Sequence, residues 1–285
     1  MTGKPLSRFV TVGPHRLHYV EFPGAADSHN RPPVVLIPGL FSSHRQWARL
    51  VPFLNPPFRV LAFDYLGVGR SDKPADFSYT AASQAEVLYQ AFQELEIERA
   101  HLIGASYGGG IALTLAGEHP EKVVTVTAIE GVFYWWGLMR VYHVLRLALA
   151  TPLIGPLIFR LFIPLLIVVA WVRGLLILRH SPGEELRALK DCYLEPHAER
   201  RAWVNLLRTV GEDLRPNVGR VRDPILYLVG QMSHVRPFLT PALDFLRQAQ
   251  PSARILFIPR GMHDLNVQLP EAIAPKILAF WQECR

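Results

Sequence analysis

Ser106 stands in Gly104-Ala105-Ser106-Tyr107-Gly108, between the apolar run Ala100-His101-Leu102-Ile103 and the small-residue stretch Gly109 to Ala116. The run reads as a short buried strand and the stretch as a helix with no bulk in its first turn. A strand that turns sharply into a helix at a serine needs glycines on either side, because the close approach of strand and helix leaves no room for side chains. Such a turn pushes the hydroxyl outward. The helix behind it aims its amide groups and the positive end of its dipole at any negative charge formed beside the serine. The chemistry suggested is covalent acyl transfer.

A serine hydroxyl is a poor nucleophile until a base takes its proton. Among the 11 histidines, His263 is best placed, because it follows the last strand-like run, in Ile258-Pro259-Arg260-Gly261-Met262-His263, and so belongs at the same carboxyl edge as Ser106. His101 precedes the serine turn, His119 ends a helix, and His143, His180 and His197 lie in a segment of different character.

Positioning these groups requires a sheet. Apolar runs of strand length recur at residues 9–12, 17–22, 34–37, 60–63, 101–103, 123–129, 225–229 and 255–258. Helical stretches separate the later ones, at about 45–54, 81–95, 108–117, 241–248 and 270–284. Continuous Val/Ile/Leu runs separated by helices indicate a mostly parallel, eight-stranded sheet in an α/β architecture, flanked by helices on both faces. The alternation breaks between Gly131 and about Arg215, too long a stretch for a loop. It reads as an inserted helical cap, residues 131–215, between two parts of one core, residues 1–130 and 216–285. A cap there would roof the carboxyl ends of the strands, where open parallel sheets bind ligands.

The chain has 285 residues, half of them hydrophobic, enough for one large core. Its N-terminus lacks the apolar centre of a secretion signal, so the expected location is the cytoplasm, with peripheral membrane contact as an extension. Cys192 and Cys284 lack metal-ligand or redox spacing and read as unpaired thiols. The net charge is +6, and residues 131–183 hold Arg140, Arg146, Arg160, Arg173 and Arg179 with no acid. These arginines are scattered through apolar runs rather than clustered on a polar face, which argues against nucleic acid and toward an anionic membrane surface. Within the same stretch, Leu161 to Val172 is uncharged and lies between Arg160 and Arg173. It reads first as a buried cap helix. A helix lying in a membrane interface is the alternative, given Trp135, Trp136, Trp171 and the unopposed arginines. A full span is the weaker reading, because Arg160, Pro156 and Pro152 interrupt the upstream extension.

Taken in order, these motifs resemble the α/β-hydrolase superfamily, in its cap-bearing branch, over nearly the whole chain. Pro38-Gly39-Leu40-Phe41-Ser42-Ser43 with Trp47 resembles the oxyanion loop after the third strand, which in the family more often begins with His-Gly. Asp64 to Pro74 resembles the glycine-rich turn after the fourth strand. That turn lacks the Gly-x-Gly-x-x-Gly spacing of a nucleotide loop, Asp72 standing in the last glycine's place. The resemblance implies that the backbone N–H groups of Leu40 and Tyr107 form an oxyanion hole.

The departure is the acid. Family members commonly carry an Asp in a Gly-x-x-Asp turn after the penultimate strand, where this chain has Gly230-Gln231-Met232-Ser233. Glu130, at the end of the strand Val123 to Ile129, is the leading replacement, since many haloalkane dehalogenases place the acid there. Asp264 beside His263, and a dyad with water near Ser233, are the alternatives. Serine at position 106 excludes the carboxylate nucleophile of dehalogenases and epoxide hydrolases. The expected activity is a serine hydrolase cleaving lipophilic carboxylic esters, with Ser106, His263 and Glu130 as the catalytic residues and no cofactor or metal. The expected partners are a small lipophilic ester and, through the cap, an anionic membrane, but no nucleic acid. A carbon–carbon bond hydrolase or thioesterase would use the same residues, and a catalytically weak lipid-binding protein would keep only the scaffold.

Overall fold

A computed structural model describes residues 4–134, 139–177 and 182–284. Trp135, Trp136, Arg179 and His180 lie outside the described residues. The eight strands are β1 (Leu6–Val12), β2 (His15–Phe22), β3 (Val34–Ile37), β4 (Val60–Phe63), β5 (Ala100–Ala105), β6 (Val123–Ile129), β7 (Ile225–Gly230) and β8 (Arg254–Ile258). They form one sheet in the order β1-β2-β4-β3-β5-β6-β7-β8. The β1/β2 and β2/β4 pairs are antiparallel, and every pair from β4/β3 onward is parallel. The mostly parallel eight-stranded sheet expected from the apolar runs is present.

Strand periodicity explains why both faces are apolar. Val34 and Leu36 of β3 face one core with Val60 and Ala62 of β4, while Val35 and Ile37 face another with Leu61 and Phe63. Successive side chains alternate across the pleat, so a strand buried on both faces must be apolar at every position. Among the described residues, eleven helices cover these faces and the sheet's carboxyl edge. Those of the core are α1 (Val51–Leu54), α2 (Ala81–Glu94), α3 (Tyr107–Glu118), α8 (Arg215–Val218), α9 (Arg236–Ala249), α10 (Leu265–Gln268) and α11 (Pro270–Glu283). Between β6 and α8 lie α4 (Met139–Ala150), α5 (Gly155–Ile177), α6 (Pro182–Tyr193) and α7 (Arg200–Thr209).

Three expectations change in detail. The helix expected over 45–54 is a 3₁₀ turn, His44–Trp47, followed by the single turn α1. The interruption lets Gln46 turn inward to the loop after β3. Helix α9 starts at Arg236 rather than near Pro241. Pro237 sits in its first turn, and Pro241 deprives only the Pro237 carbonyl, near the helix end, of its partner. The apolar run at 161–172 belongs to the longer α5, and it is not a buried helix: Leu161, Leu165, Val168 and Val172 are 45–63 % exposed.

Candidate active site

The residues singled out for chemistry all follow carboxyl ends of parallel strands. Ser106 follows β5 at the mouth of α3, with φ 50° and ψ −117°. Its N–H donates to the Ile129 carbonyl (2.9 Å), and its own carbonyl accepts from Val132 N (2.9 Å), so the loop after β6 clamps the strained turn. The glycines are required by packing. A Cβ on Gly104 would collide with the Gly108 carbonyl, and one on Gly108 with the carbonyls of Ile37 and Pro38.

Glu130 directly follows β6 and is fully buried, with φ 46°. Its N–H donates to the Leu228 carbonyl at 2.8 Å, which fixes the residue against β7. Three groups meet its carboxylate. Gly230 N–H donates to Oε1 at 2.7 Å, while the Ser233 hydroxyl and His263 Nδ1 both approach Oε2 at 2.6 Å. Ser233, at the position where an Asp was sought, donates a hydrogen bond to the carboxylate supplied by the neighbouring strand. An acceptor at Nδ1 holds the imidazole in the tautomer that leaves Nε2 free to take a proton. Burial opposes the charged imidazole, but the hydrogen bond and charge of Glu130 outweigh it, and the His263 pKa is raised above the ordinary histidine value.

Ser106 and His263 line one cavity of about 130 Å³, together with Leu40, Phe41, Phe162 and Leu166. No hydrogen bond joins Ser106 Oγ to His263 Nε2; such contacts commonly close only when substrate is bound. Asp264 does not face the histidine as a partner. Its Oδ1 accepts from the Tyr193 hydroxyl at 2.6 Å.

The loop after β3 packs directly on the serine, since a Cβ on Gly39 would stand 3.4 Å from the Ser106 Cβ. Gly39 N–H donates to Gln46 Oε1 (2.8 Å), and its carbonyl accepts from the buried Tyr65 hydroxyl (3.2 Å). Among the described residues, neither the Leu40 nor the Tyr107 backbone N–H has a protein acceptor. Tyr107 opens α3, where a helix leaves its N–H groups unsatisfied. Two unpaired donors beside a serine suit an anionic oxygen.

Sequence reasoning passed over Gln46, Tyr65 and His234. His234 borders the cavity with its ring centroid 5.7 Å from that of His263, and burial together with the charge of His263 pushes its pKa down to about 4. It is therefore a neutral neighbour at ordinary pH. A signal existed for Gln46, three residues from the oxyanion-like loop, but its partner is a backbone amide that no side-chain pattern reveals.

Among the described residues, one cluster has the spacing of metal ligands: His18, His44 and Asp64. Its atoms are engaged with one another. His18 Nδ1 lies 2.7 Å from Asp64 Oδ2, His44 N–H donates to Oδ1 at 2.6 Å, and Arg70 N–H donates to Oδ2 at 3.0 Å. Burial opposes the Asp64 charge, yet the hydrogen bonds from His18 and His44 hold its carboxyl well below the usual carboxylate range. The cluster ties the turn after β4 to β2 and to the loop carrying Gln46. Cys192 is a buried free thiol and Cys284 a partly buried one.

Residues 32–149 match the family model described as alpha/beta hydrolase fold. The 2-hydroxymuconate semialdehyde hydrolase of Pseudomonas sp. (strain CF600) is 40% identical over 101 residues, 32% of this chain and 36% of that protein. A haloalkane dehalogenase of Mycobacterium marinum is 35% identical over 128 residues, 42% of this chain and 40% of its own length. The chain thus spans well under half the length of the curated relatives it matches. Among solved structures, the enol-lactonase of Burkholderia xenovorans LB400 superposes with a TM-score of 0.79 at 23% identity, over 96% of this chain and 100% of that one. That likeness is one of fold.

Proposed function

We propose that this chain, which belongs to the α/β-hydrolase superfamily, is a serine hydrolase that cleaves carboxylic esters of lipophilic substrates through an acyl-serine intermediate. The observation that carries the reading is the buried Glu130 carboxylate on His263 Nδ1, at 2.6 Å, with that imidazole and the Ser106 turn bordering the same cavity. In the reaction, Ser106 Oγ attacks the ester carbon while its proton passes to His263 Nε2. The carbonyl oxygen takes up the negative charge and is held by the Leu40 and Tyr107 amides, each donor contributing about 3 to 4 kcal/mol. Collapse breaks the carbon–oxygen bond, and the leaving alcohol takes the proton from His263. A water then gives its proton to His263, attacks the acyl carbon, and the acid departs as Ser106 recovers its proton. Glu130 orients the imidazole and stabilises its charged form throughout.

An apolar acyl group fits the walls, since Phe41, Phe162, Leu166 and Ala170 border the cavity and neither Lys nor Arg stands among its described lining residues. The same feature speaks against the second reading, carbon–carbon bond hydrolysis, despite the likeness to a 2-hydroxymuconate semialdehyde hydrolase. An acidic substrate of that kind calls for a fixed cation beside the serine. The Glu130 contact in turn speaks against a scaffold that has lost its acid. Fluorophosphonate labelling tests the reading: wild type should label and Ser106→Ala should not. Turnover of butyrate and octanoate esters should fall by about 10⁶ in the variant. Equal labelling of both proteins, or ring-fission substrates turning over faster than esters, would overturn it.

A further inference from the structure

Helix α5 is apolar on both sides. Its inner side belongs to the body of the protein: Ile163 and Ile167 are buried, Phe159 and Phe162 meet Trp203 with ring centroids 4.7 and 6.2 Å apart, and Leu166 and Ala170 border the cavity beside Ser106. Its outer side has no protein cover among the described residues. Leu157, Leu161, Leu165, Val168, Val172 and Leu176 are 45–79 % exposed. The surface continues through Leu153, 91 % exposed, onto Val141, Val144 and Leu147 of α4. Monomeric soluble proteins rarely leave so many large apolar groups contiguous and bare, and such patches mark partner or membrane sites.

Charge selects the occupant. Residues 131–183 contain five arginines and no acid, and Arg140 and Arg160 are exposed beside the apolar groups. A second copy of the chain docked face to face would set a surface with arginines and no acid against an identical one, leaving those charges without opposite partners, which opposes association. A bilayer bearing acidic lipids offers both an apolar interior and a negative surface.

We propose that the outer face of α4 and α5 lies in the plane of an anionic lipid surface and that the cavity draws its substrate from there. Packing decides for lying over spanning. At 23 residues α5 is long enough to cross a bilayer, but its inner side is bound along its length to Phe41, Trp203 and the cavity wall, so removal would unroof the site. A second cavity of about 170 Å³ adjoins the first at His263 and is bordered by Leu166, Val169, Arg173, His234 and Met262. Val169 is also half-exposed on the outer face, so this opening gives onto the same side as the bare helix. A lipid chain entering there passes between Val169 and Met262, with Arg173 near an acidic headgroup.

The proposal names the partner of the site assigned above and rests on that reading only for what enters the cavity, since docking can be measured without turnover. The experiment is co-sedimentation of the Ser106→Ala chain with vesicles of phosphatidylcholine alone and of equal parts phosphatidylcholine and phosphatidylglycerol. Strong binding to the mixed vesicles is expected, falling at least tenfold in Leu161→Asp/Leu165→Asp. In Arg160→Gln it should fall about fivefold, on the mixed vesicles only. With Ser106 intact, both variants should hydrolyse a water-soluble butyrate ester at the wild-type rate, which shows that they fold. Failure to sediment with either vesicle would overturn the proposal while leaving the hydrolase reading standing. So would a dimer in ultracentrifugation that Leu161→Asp/Leu165→Asp dissolves, or wild-type protein that resists alkaline carbonate and needs detergent for release.

Discussion

The short contacts around Glu130 make its role measurable. Glu130→Gln keeps the volume but replaces the charge, and triad precedent sets the expected loss in kcat at about 10⁴. The pH profile gives a second readout. His263 must be neutral to accept the Ser106 proton, and its pKa is raised, so kcat/KM should fall as pH drops through a midpoint above about 6.5. In Glu130→Gln burial acts without its main counterweight, and the midpoint should move to lower pH. An unshifted midpoint would remove Glu130 from contact with the base. Asp64 makes a different, structural prediction. Asp64→Asn breaks a buried charged cluster and should cost about 3 to 5 kcal/mol in thermal or urea unfolding at neutral pH. The folded-state pKa of Asp64 is depressed, so its contribution is present above about pH 3.9 and is lost as pH falls toward the folded value. The stability gap between wild type and Asp64→Asn should therefore narrow in acid. Ser106 and His263 stand out in the chain because each belongs to a local pattern, a glycine-framed turn and a residue just past a strand. The hydrogen bond that the Ser233 hydroxyl donates to Glu130 spans 103 positions and two strands, and no local pattern carries it.

At the level of elements, the β5–α3 junction is the least forgiving part. The Cβ of Gly104→Ala would meet backbone of Gly108 rather than a flexible side chain, so neither partner can yield. Overpacking of this kind costs about 1 to 3 kcal/mol, and the displaced α3 should also lower turnover on every ester equally, through kcat rather than KM. Wild-type kinetics with an unchanged melting temperature would show that the junction has slack. Strand positions were legible from the Val/Ile/Leu runs because burial on both faces demands them. Helix limits were less so where proline misleads: Pro241 looks like a start, yet α9 tolerates it one turn in from the exposed end. The face that α5 buries was not legible either. A run apolar all round has no periodicity to say which side meets the core.

For the molecule as a whole, the carboxyl ends of the strands carry Ser106, Glu130 and His263, and Tyr142 of α4, Phe162, Leu166 and Ala170 of α5 and Tyr193 of α6 border the cavity over them. Its apolar lining predicts a chain-length effect. Each methylene added to a short acyl group should raise kcat/KM about fourfold, following the transfer energy of a CH₂ group, until the cavity is full. A flat series from acetate to hexanoate would mean that the acyl group lies outside these walls. The two-sidedness of α5 has a thermodynamic corollary. A single rod that is ceiling on one side and hull on the other couples two equilibria, and coupling between sites is reciprocal. Whatever braces the hull stiffens the ceiling, and a guest that props the ceiling must, by the same free energy, alter how firmly the hull is held.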